Sequence, residues 1–123
     1  MLNKPELKIP HFPTSDFELD DEIEVKLIDI GSHHFFDEES CPYVQSRFYR
    51  APEVILGIPY DSRTETFSWG AVLYELATNN PLFITNVKKN FYQQQLANFI
   101  GLLGPIPQEM IVLGKMSHRY FTR

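Results

Sequence analysis

Two short stretches of the sequence carry residues whose types and spacing can do chemistry. In the first, Asp29 and Gly31 follow an alternation of apolar and charged residues over positions 23–28. An aspartate that a strand delivers into a glycine turn can hold a cation, because the backbone fixes the carboxylate and the glycine lets a phosphate approach closely. Asp-x-Gly after a strand is also a common turn. The residues alone therefore leave a cation site and a plain turn both open.

The second stretch places two arginines, Arg47 and Arg50, after Tyr43. Paired guanidinium groups are the usual receptor for a phosphate dianion, so a phosphorylated Tyr43 could order its own loop. The alternative is that the arginines lie at the surface and pair with the acidic residues 37–39. Composition alone favours this plainer alternative.

The elements that must position these residues are mostly helical. A strand is predicted from Ile23 by its alternating pattern, and residues 1–22 are predicted to form an acidic, proline-containing surface loop. Helical spacing of apolar residues predicts longer helices at about 62–78 and 87–103. A short helix is predicted at about 107–114, after the break that Gly104 to Pro107 make in the chain.

The ends of two helices carry recognisable signals. Pro52 and Gly57 bracket a short helix, since proline needs no N–H in the first turn and glycine accommodates the turn that closes a helix. Ser62 followed by Glu65 has the spacing of a capping box, which predicts a side-chain cap at the start of the 62–78 helix.

Composition limits the class of protein. A length of 123 residues suits one small domain, and 43% hydrophobic residues are enough to build a core. A net charge of −5 argues against a nucleic-acid-binding surface. With one cysteine, Cys41, no internal disulfide is possible, and no apolar run is long enough to span a bilayer. We expect an intracellular protein, cytoplasmic or nuclear, with no membrane or nucleic-acid partner.

The motifs of this sequence, and their order along the chain, resemble those of a known protein family. Residues 25–31 resemble the strand and Asp-Phe-Gly turn of a eukaryotic protein kinase, with isoleucine in place of phenylalanine, and Ala51-Pro52-Glu53 resembles its Ala-Pro-Glu motif. Residues 43–60 are similar to the group that contains the CDC-like, SR-protein and dual-specificity tyrosine-regulated kinases. Signals of these subfamilies mix along the chain.

The resemblance implies a mainly α-helical, partial protein-kinase-like fold. It consists of one β-strand, an activation segment at 29–53 and then helices, all within 23–123, and the N-terminal lobe is expected to be absent. Residues 1–22 are either a loop or a degenerate remnant of the catalytic loop.

The resemblance also implies roles for individual residues. Asp29 corresponds to the aspartate that binds magnesium and, through it, ATP. Tyr43 corresponds to the activation-loop phosphorylation site, with Arg47 and Arg50 as its phosphate receptors. The residues with implied structural roles are Ser46, Glu53 and Glu65.

Three implied positions depart from the family pattern. If Lys4-Pro5-Glu6 is a remnant of the catalytic loop, Leu2 stands at the catalytic aspartate and Leu7 at a metal-binding asparagine; a chance tripeptide is an equal alternative. Leucine can neither accept a proton nor bind magnesium. Glu65 replaces an aspartate, and its extra methylene displaces the carboxylate. The arginine that partners Glu53 in the family is expected beyond residue 123.

The sequence therefore indicates a fragment of an ATP-dependent protein serine/threonine kinase, or dual-specificity kinase, that transfers the γ-phosphate of ATP to protein hydroxyls. The alternative is a catalytically dead kinase relic that acts at most as a protein-binding module. The expected partners are a protein substrate or docking protein, with Ser/Arg-rich splicing proteins as one candidate. ATP and Mg²⁺ are implied by the resemblance, and the chain alone is expected to be inactive.

Overall fold

The computed structural model describes residues 24–33, 35, 44–85 and 90–122. Single 3-10 turns span Ile30–Ser32 and Ser117–Arg119. The helices are α1 (Pro52–Leu56), α2 (Arg63–Thr78), α3 (Phe91–Leu103) and α4 (Gln108–Leu113). The mainly helical fold class is confirmed. The loop expected over residues 1–22 lies outside the described residues, as do Leu2 and Tyr43.

The strand predicted from Ile23 is not formed in its described part. Residues 24–29 have no strand structure, and the side chains of Val25 and Leu27 are 87% and 80% exposed. A strand needs a neighbour to satisfy its backbone groups, and no described segment pairs with this one. The alternation of residue types identified a segment suited to a sheet, but its pairing partner is not among the described residues.

The ends of α1 agree with the sequence. Pro52 occupies the first turn, and Gly57 closes the helix in the left-handed region at φ 70°. The amide of Gly57 donates to the carbonyl of Val54 at 3.2 Å. Because a left-handed backbone strains residues with a Cβ, glycine is the residue this position requires.

The capping box predicted for α2 is wrong. Ser62 adopts a right-handed helical conformation at φ −58° and ψ −18°, and its side chain makes no capping hydrogen bond. The preceding Asp61 caps instead, since its Oδ1 accepts a 2.9 Å hydrogen bond from the backbone amide of Arg63. An aspartate oxygen serves the same exposed donors as a serine hydroxyl, so the cap moves by one residue.

The core lies where α1, α2 and α3 meet the segment after α2. Phe67 of α2 stacks on Phe83 at 5.9 Å between ring centroids, and Phe99 of α3 meets Phe83 edge-on at 4.5 Å. Leu56 and Leu96 also belong to this cluster, with exposed fractions of 0% and 2%. Burial of these apolar side chains supplies most of the stabilisation of the helices.

The C-terminal turn packs onto the end of α1. The amide of Met116 donates to the carbonyl of Leu56 at 2.8 Å. A Cβ at Gly114 would lie 2.2 Å from Ser117 Oγ and 3.0 Å from the Leu56 carbonyl oxygen. Glycine is therefore needed at position 114 for close approach of two backbone segments.

One face of α2 remains uncovered by the described residues. Trp69, Leu73 and Leu76 are 52%, 58% and 76% exposed. Leu73 and Leu76 belong to the apolar spacing that predicted this helix, but the core takes only Phe67 and Ala71 from it. No described helix has the length and apolar character that a membrane crossing would need.

Candidate functional site

Asp29 lies at the entrance to the 3-10 turn Ile30–Ser32. Its backbone is left-handed at φ 62° and ψ 54°, a conformation that aspartate tolerates better than most residues. The side chain is exposed, and Gly31 leaves space beside it: a Cβ at that position would lie 3.9 Å from Asp29 Oδ1. The turn is held by a 2.7 Å hydrogen bond between His33 Nδ1 and the Ile30 carbonyl.

This geometry fits one magnesium ligand and not a complete metal site. The described residues contain no group of three or more His, Cys, Asp or Glu side chains that could hold a metal. Magnesium is commonly bound through one or two carboxylates together with phosphate oxygens and waters, so a single exposed aspartate suits part of that role. The assignment of Asp29 to ATP and magnesium stays a prediction.

Gln45 organises the loop of residues 44–50. Its backbone is left-handed at φ 63°. Its side-chain amide donates to the Thr64 carbonyl at 2.8 Å and to Ser68 Oγ at 2.5 Å, while Oε1 accepts from the Ala51 amide at 2.9 Å. Gln45 therefore joins both ends of the loop to α2. This role was not predicted from the sequence, because the partners of Gln45 in α2 are 19 and 23 residues away along the chain.

Arg50 is buried and already engaged within the loop. Its side chain is 5% exposed. Nε donates to the Val44 carbonyl at 2.9 Å, one terminal nitrogen donates to the Gln45 carbonyl at 2.8 Å, and the other donates to the hydroxyl of Tyr92 on α3. A buried guanidinium needs acceptors on its several N–H groups, and this arrangement supplies them from protein.

Arg47 has a different environment from Arg50. It is exposed, and its guanidinium carbon lies 4.9 Å from the ring centroid of Phe91, in cation–π contact. Because Tyr43 lies outside the described residues, the structure does not test the predicted pairing of its phosphate with these arginines. The two side chains do not form an open pair, since one is buried and the other lies on an aromatic ring.

Tyr49 and Glu75 form a second contact between the loop and α2. The Tyr49 hydroxyl donates to Glu75 Oε2 at 2.7 Å. This hydrogen bond is the main cause that raises the pKa of Tyr49 above its ordinary value, with burial and the charge of Glu75 adding to it. The pair lines an open cavity of about 330 Å³ together with Val72, Leu76 and Asn79. Sequence spacing gave no sign of this pair, whose members are 26 residues apart.

Glu53 has a hydrogen-bond partner in α2 that was not predicted from the sequence. Thr64 Oγ1 donates to Glu53 Oε1 at 2.9 Å. Glu53 is half-buried and Thr64 is 2% exposed. A threonine hydroxyl from the first turn of α2 thus satisfies one oxygen of this carboxylate. The arginine partner expected beyond residue 123 stays a prediction.

The remaining predicted site residues are exposed. Ser46 lies at the surface of the loop, and its carbonyl accepts a 2.9 Å hydrogen bond from the Tyr49 amide. Glu65 lies in the first turn of α2, where its carboxylate is exposed. Their implied structural roles stay predictions.

Along the chain, a turn presents Asp29, and the loop of residues 44–50 is then fastened to α2 and α3. A comparison with known protein families agrees with this arrangement. The model of the protein kinase domain matches residues 17–118. This chain therefore belongs to the protein kinase domain family, and its described helices are part of the C-terminal lobe.

Comparison with individual proteins identifies kinases to which this chain is similar. The chain is 44% identical over 103 residues to the probable dual specificity protein kinase YAK1 homolog of Encephalitozoon cuniculi, which covers 84% of the chain and 24% of that protein. It is 42% identical over 97 residues to the serine/threonine-protein kinase ppk5 of Schizosaccharomyces pombe, covering 79% of the chain and 11% of that protein. It is 43% identical over 96 residues to the dual specificity tyrosine-phosphorylation-regulated kinase 3 of Mus musculus, covering 78% and 16%. The chain thus spans a quarter or less of the length of these relatives.

Proposed function

We propose that this chain is the substrate-side part of a protein kinase that transfers the γ-phosphate of ATP to serine and threonine hydroxyls of other proteins. The observation that carries the proposal is the loop of residues 44–50, fastened by Gln45 to α2 and by Arg50 to α3. A loop fixed in this way offers a rigid surface for an extended protein segment, which positions a hydroxyl for transfer. The family supports ATP and magnesium as the cofactors of the reaction.

In this proposal the described residues supply the protein substrate site, and most of the phosphate chemistry lies elsewhere. Asp29 contributes one magnesium ligand. The 123 residues contain no Gly-x-Gly-x-x-Gly sequence that would cover ATP phosphates. The activity is therefore assigned to the longer kinase of which these residues are a part, and the chain alone is expected to be inactive.

The names of the relatives support a placement with the dual-specificity tyrosine-regulated kinases. On that placement Tyr43 is the phosphorylated tyrosine of the activation segment. Similarity to the CDC-like and SR-protein kinases, and Ser/Arg-rich splicing proteins as substrates, stay predictions, as does a cytoplasmic or nuclear location.

The natural protein provides the test of this proposal. An antibody against residues 90–122 isolates the endogenous protein, which is then incubated with Mg²⁺, ATP and separate peptides containing serine, threonine or tyrosine. We expect magnesium-dependent phosphorylation of the serine and threonine peptides. An isolated protein of natural length that transfers no phosphate to any peptide would contradict the proposal.

A second candidate function is a catalytically dead kinase relic that binds proteins. Two observations favour it: Glu65 replaces the family's aspartate at the start of α2, and the apolar face formed by Trp69, Leu73 and Leu76 is exposed. The same endogenous protein distinguishes the two. A relic would bind no ATP in the presence of magnesium at micromolar protein and would still retain a stable protein partner during isolation.

A further inference from the structure

The first turn of α3 holds the loop of residues 44–50 from one side. Phe91 contacts Phe48 edge-on at 5.3 Å between ring centroids and carries Arg47 over its face. Gln95, whose side chain is fully buried, donates to the Phe48 carbonyl at 3.4 Å. The loop is therefore docked against one end of a helix that follows it by more than 40 residues.

Tyr92 contacts the buried positive charge of the loop, which is Arg50. Its hydroxyl accepts a hydrogen bond from Arg50, and the guanidinium carbon of Arg50 lies 5.5 Å from the centroid of its ring. The other two acceptors described above, the carbonyls of Val44 and Gln45, belong to the loop itself. Of these three, Tyr92 is the one that comes from a separate element and fixes the direction of the guanidinium relative to the helices.

The start of α3 is itself fixed, so that Tyr92 has a defined position. Asn90 Oδ1 accepts from the backbone amide of Gln93 at 3.4 Å, and the ring of Phe91 meets that of Tyr92 edge-on at 5.6 Å. Leu96 and Phe99 anchor the rest of the helix in the core. A side chain on such a helix can orient a buried arginine without moving itself.

From this geometry we propose that Tyr92 is a positioning residue, which orients Arg50 and through it keeps the loop of residues 44–50 closed on the protein. The closed loop needs no bound phosphate, because protein oxygens already occupy the donors of Arg50 named here. The inference rests on the proposed function only in placing this loop beside the protein substrate. Its test measures the order of the loop, so a failure of phosphotransfer and a failure of this inference are separate results.

The experiment compares Tyr92→Phe with the unchanged chain in phosphate-free buffer. The substitution keeps the ring and removes the hydroxyl. Tyr74→Phe is the matched control, because Tyr74 is half-buried in α2 and none of the hydrogen bonds described here uses its hydroxyl. The reporters are amide hydrogen exchange at Tyr49 and Ala51, which donate within the loop, and the NMR signal of the Arg50 Nε–H group.

In the unchanged chain we expect a protected Arg50 Nε–H signal that addition of inorganic phosphate leaves in place. Tyr92→Phe should shift that signal and speed exchange at the two loop amides by about five- to tenfold. The amide of Met116, which reports the packing of the core through its bond to Leu56, should keep its rate.

Three outcomes would overturn the inference. The first is loop exchange in Tyr92→Phe equal to that in Tyr74→Phe. The second is an equal acceleration at Met116, which would show a general loss of stability. The third is an unchanged chain whose loop becomes protected only when phosphate is added. Arg50→Lys, which keeps the charge but loses the branched donor, provides a second variant and should open the loop as Tyr92→Phe does.

Discussion

Thr64 Oγ1 donates a 2.9 Å hydrogen bond to Glu53 Oε1, and this contact joins α1 to the first turn of α2. The two residues are 11 positions apart, and Thr64 is almost fully buried. The same threonine offers its backbone carbonyl to Gln45. One residue of α2 thus supports both α1 and the loop of residues 44–50 that precedes α1.

Removal of this hydroxyl should destabilise the fold. We expect Thr64→Val to lower the free energy of unfolding by about 1–2 kcal/mol, because a half-buried carboxylate oxygen loses its donor while side-chain volume is kept. Urea denaturation measures the change. Thr66→Val, at an exposed position of the same helix, is the control. Equal losses in the two variants would show that replacing threonine by valine anywhere in α2, and not the loss of the hydrogen bond to Glu53, is responsible.

Gln45 combines a strained backbone with a clamping side chain, and two substitutions separate these effects. Gln45→Ala removes the clamp and keeps a Cβ at φ 63°, whereas Gln45→Gly removes the clamp and relieves the strain. We expect both variants to be less stable than the unchanged chain, with the alanine variant less stable by about 1 kcal/mol than the glycine variant. Thermal unfolding gives the order. A glycine variant less stable than the alanine variant would contradict it.

The contact between Tyr49 and Glu75 predicts a dependence of stability on alkaline pH. Since folding raises the pKa of Tyr49, the folded state favours the neutral phenol. Its contribution to stability is complete below the pKa of the unfolded tyrosine, roughly 10, and is lost as the pH rises through the higher folded value.

The difference in unfolding free energy between the unchanged chain and Tyr49→Phe should therefore be constant near neutral pH and shrink above about pH 10. Urea denaturation at a series of pH values measures this difference, with Tyr74→Phe as the control. A difference that grows with pH would mean that the contact stabilises the ionised tyrosine.

Substitution of glycine by alanine should have opposite effects on the unfolding free energy at two positions. A Cβ at Gly114 would meet Ser117 Oγ and Leu56, whereas a Cβ at Gly70 in α2 has no atom within 4 Å. Gly114→Ala should lower the unfolding free energy by about 1–3 kcal/mol through overpacking. Gly70→Ala should raise it by about 0.5–1 kcal/mol because alanine is the better helix former. Thermal melting distinguishes them, and a stabilised Gly114→Ala variant would contradict the close packing at the end of α1.

The sequence predicted the helices better than the contacts between them. The predicted bounds of α2 and α4 lie within one residue of their observed ends, and Pro52 with Gly57 defined α1, because the signals for these helices are local. The strand predicted from Ile23 is not formed in its described part. A strand depends on pairing with a neighbouring strand, which its own residues do not specify. The roles of Gln45, Thr64 and Glu75 could not be predicted for the same reason: each depends on a partner brought near only by folding.

The most direct test of the central claim, that residues 44–122 form the substrate side of a working kinase, is a chimera. These residues replace the matching segment of the mouse dual specificity tyrosine-phosphorylation-regulated kinase 3, to which the chain is 43% identical over 96 residues. Phosphorylation of serine and threonine peptides is then measured for the chimera, for the same chimera with Glu65→Asp, and for the unaltered mouse kinase.

We expect magnesium-dependent phosphotransfer by the folded chimera with Glu65→Asp. We also expect a lower rate with Glu65, because the longer side chain displaces the carboxylate. A chimera that folds as stably as the mouse kinase, yet transfers no phosphate with either residue at position 65, would contradict the claim.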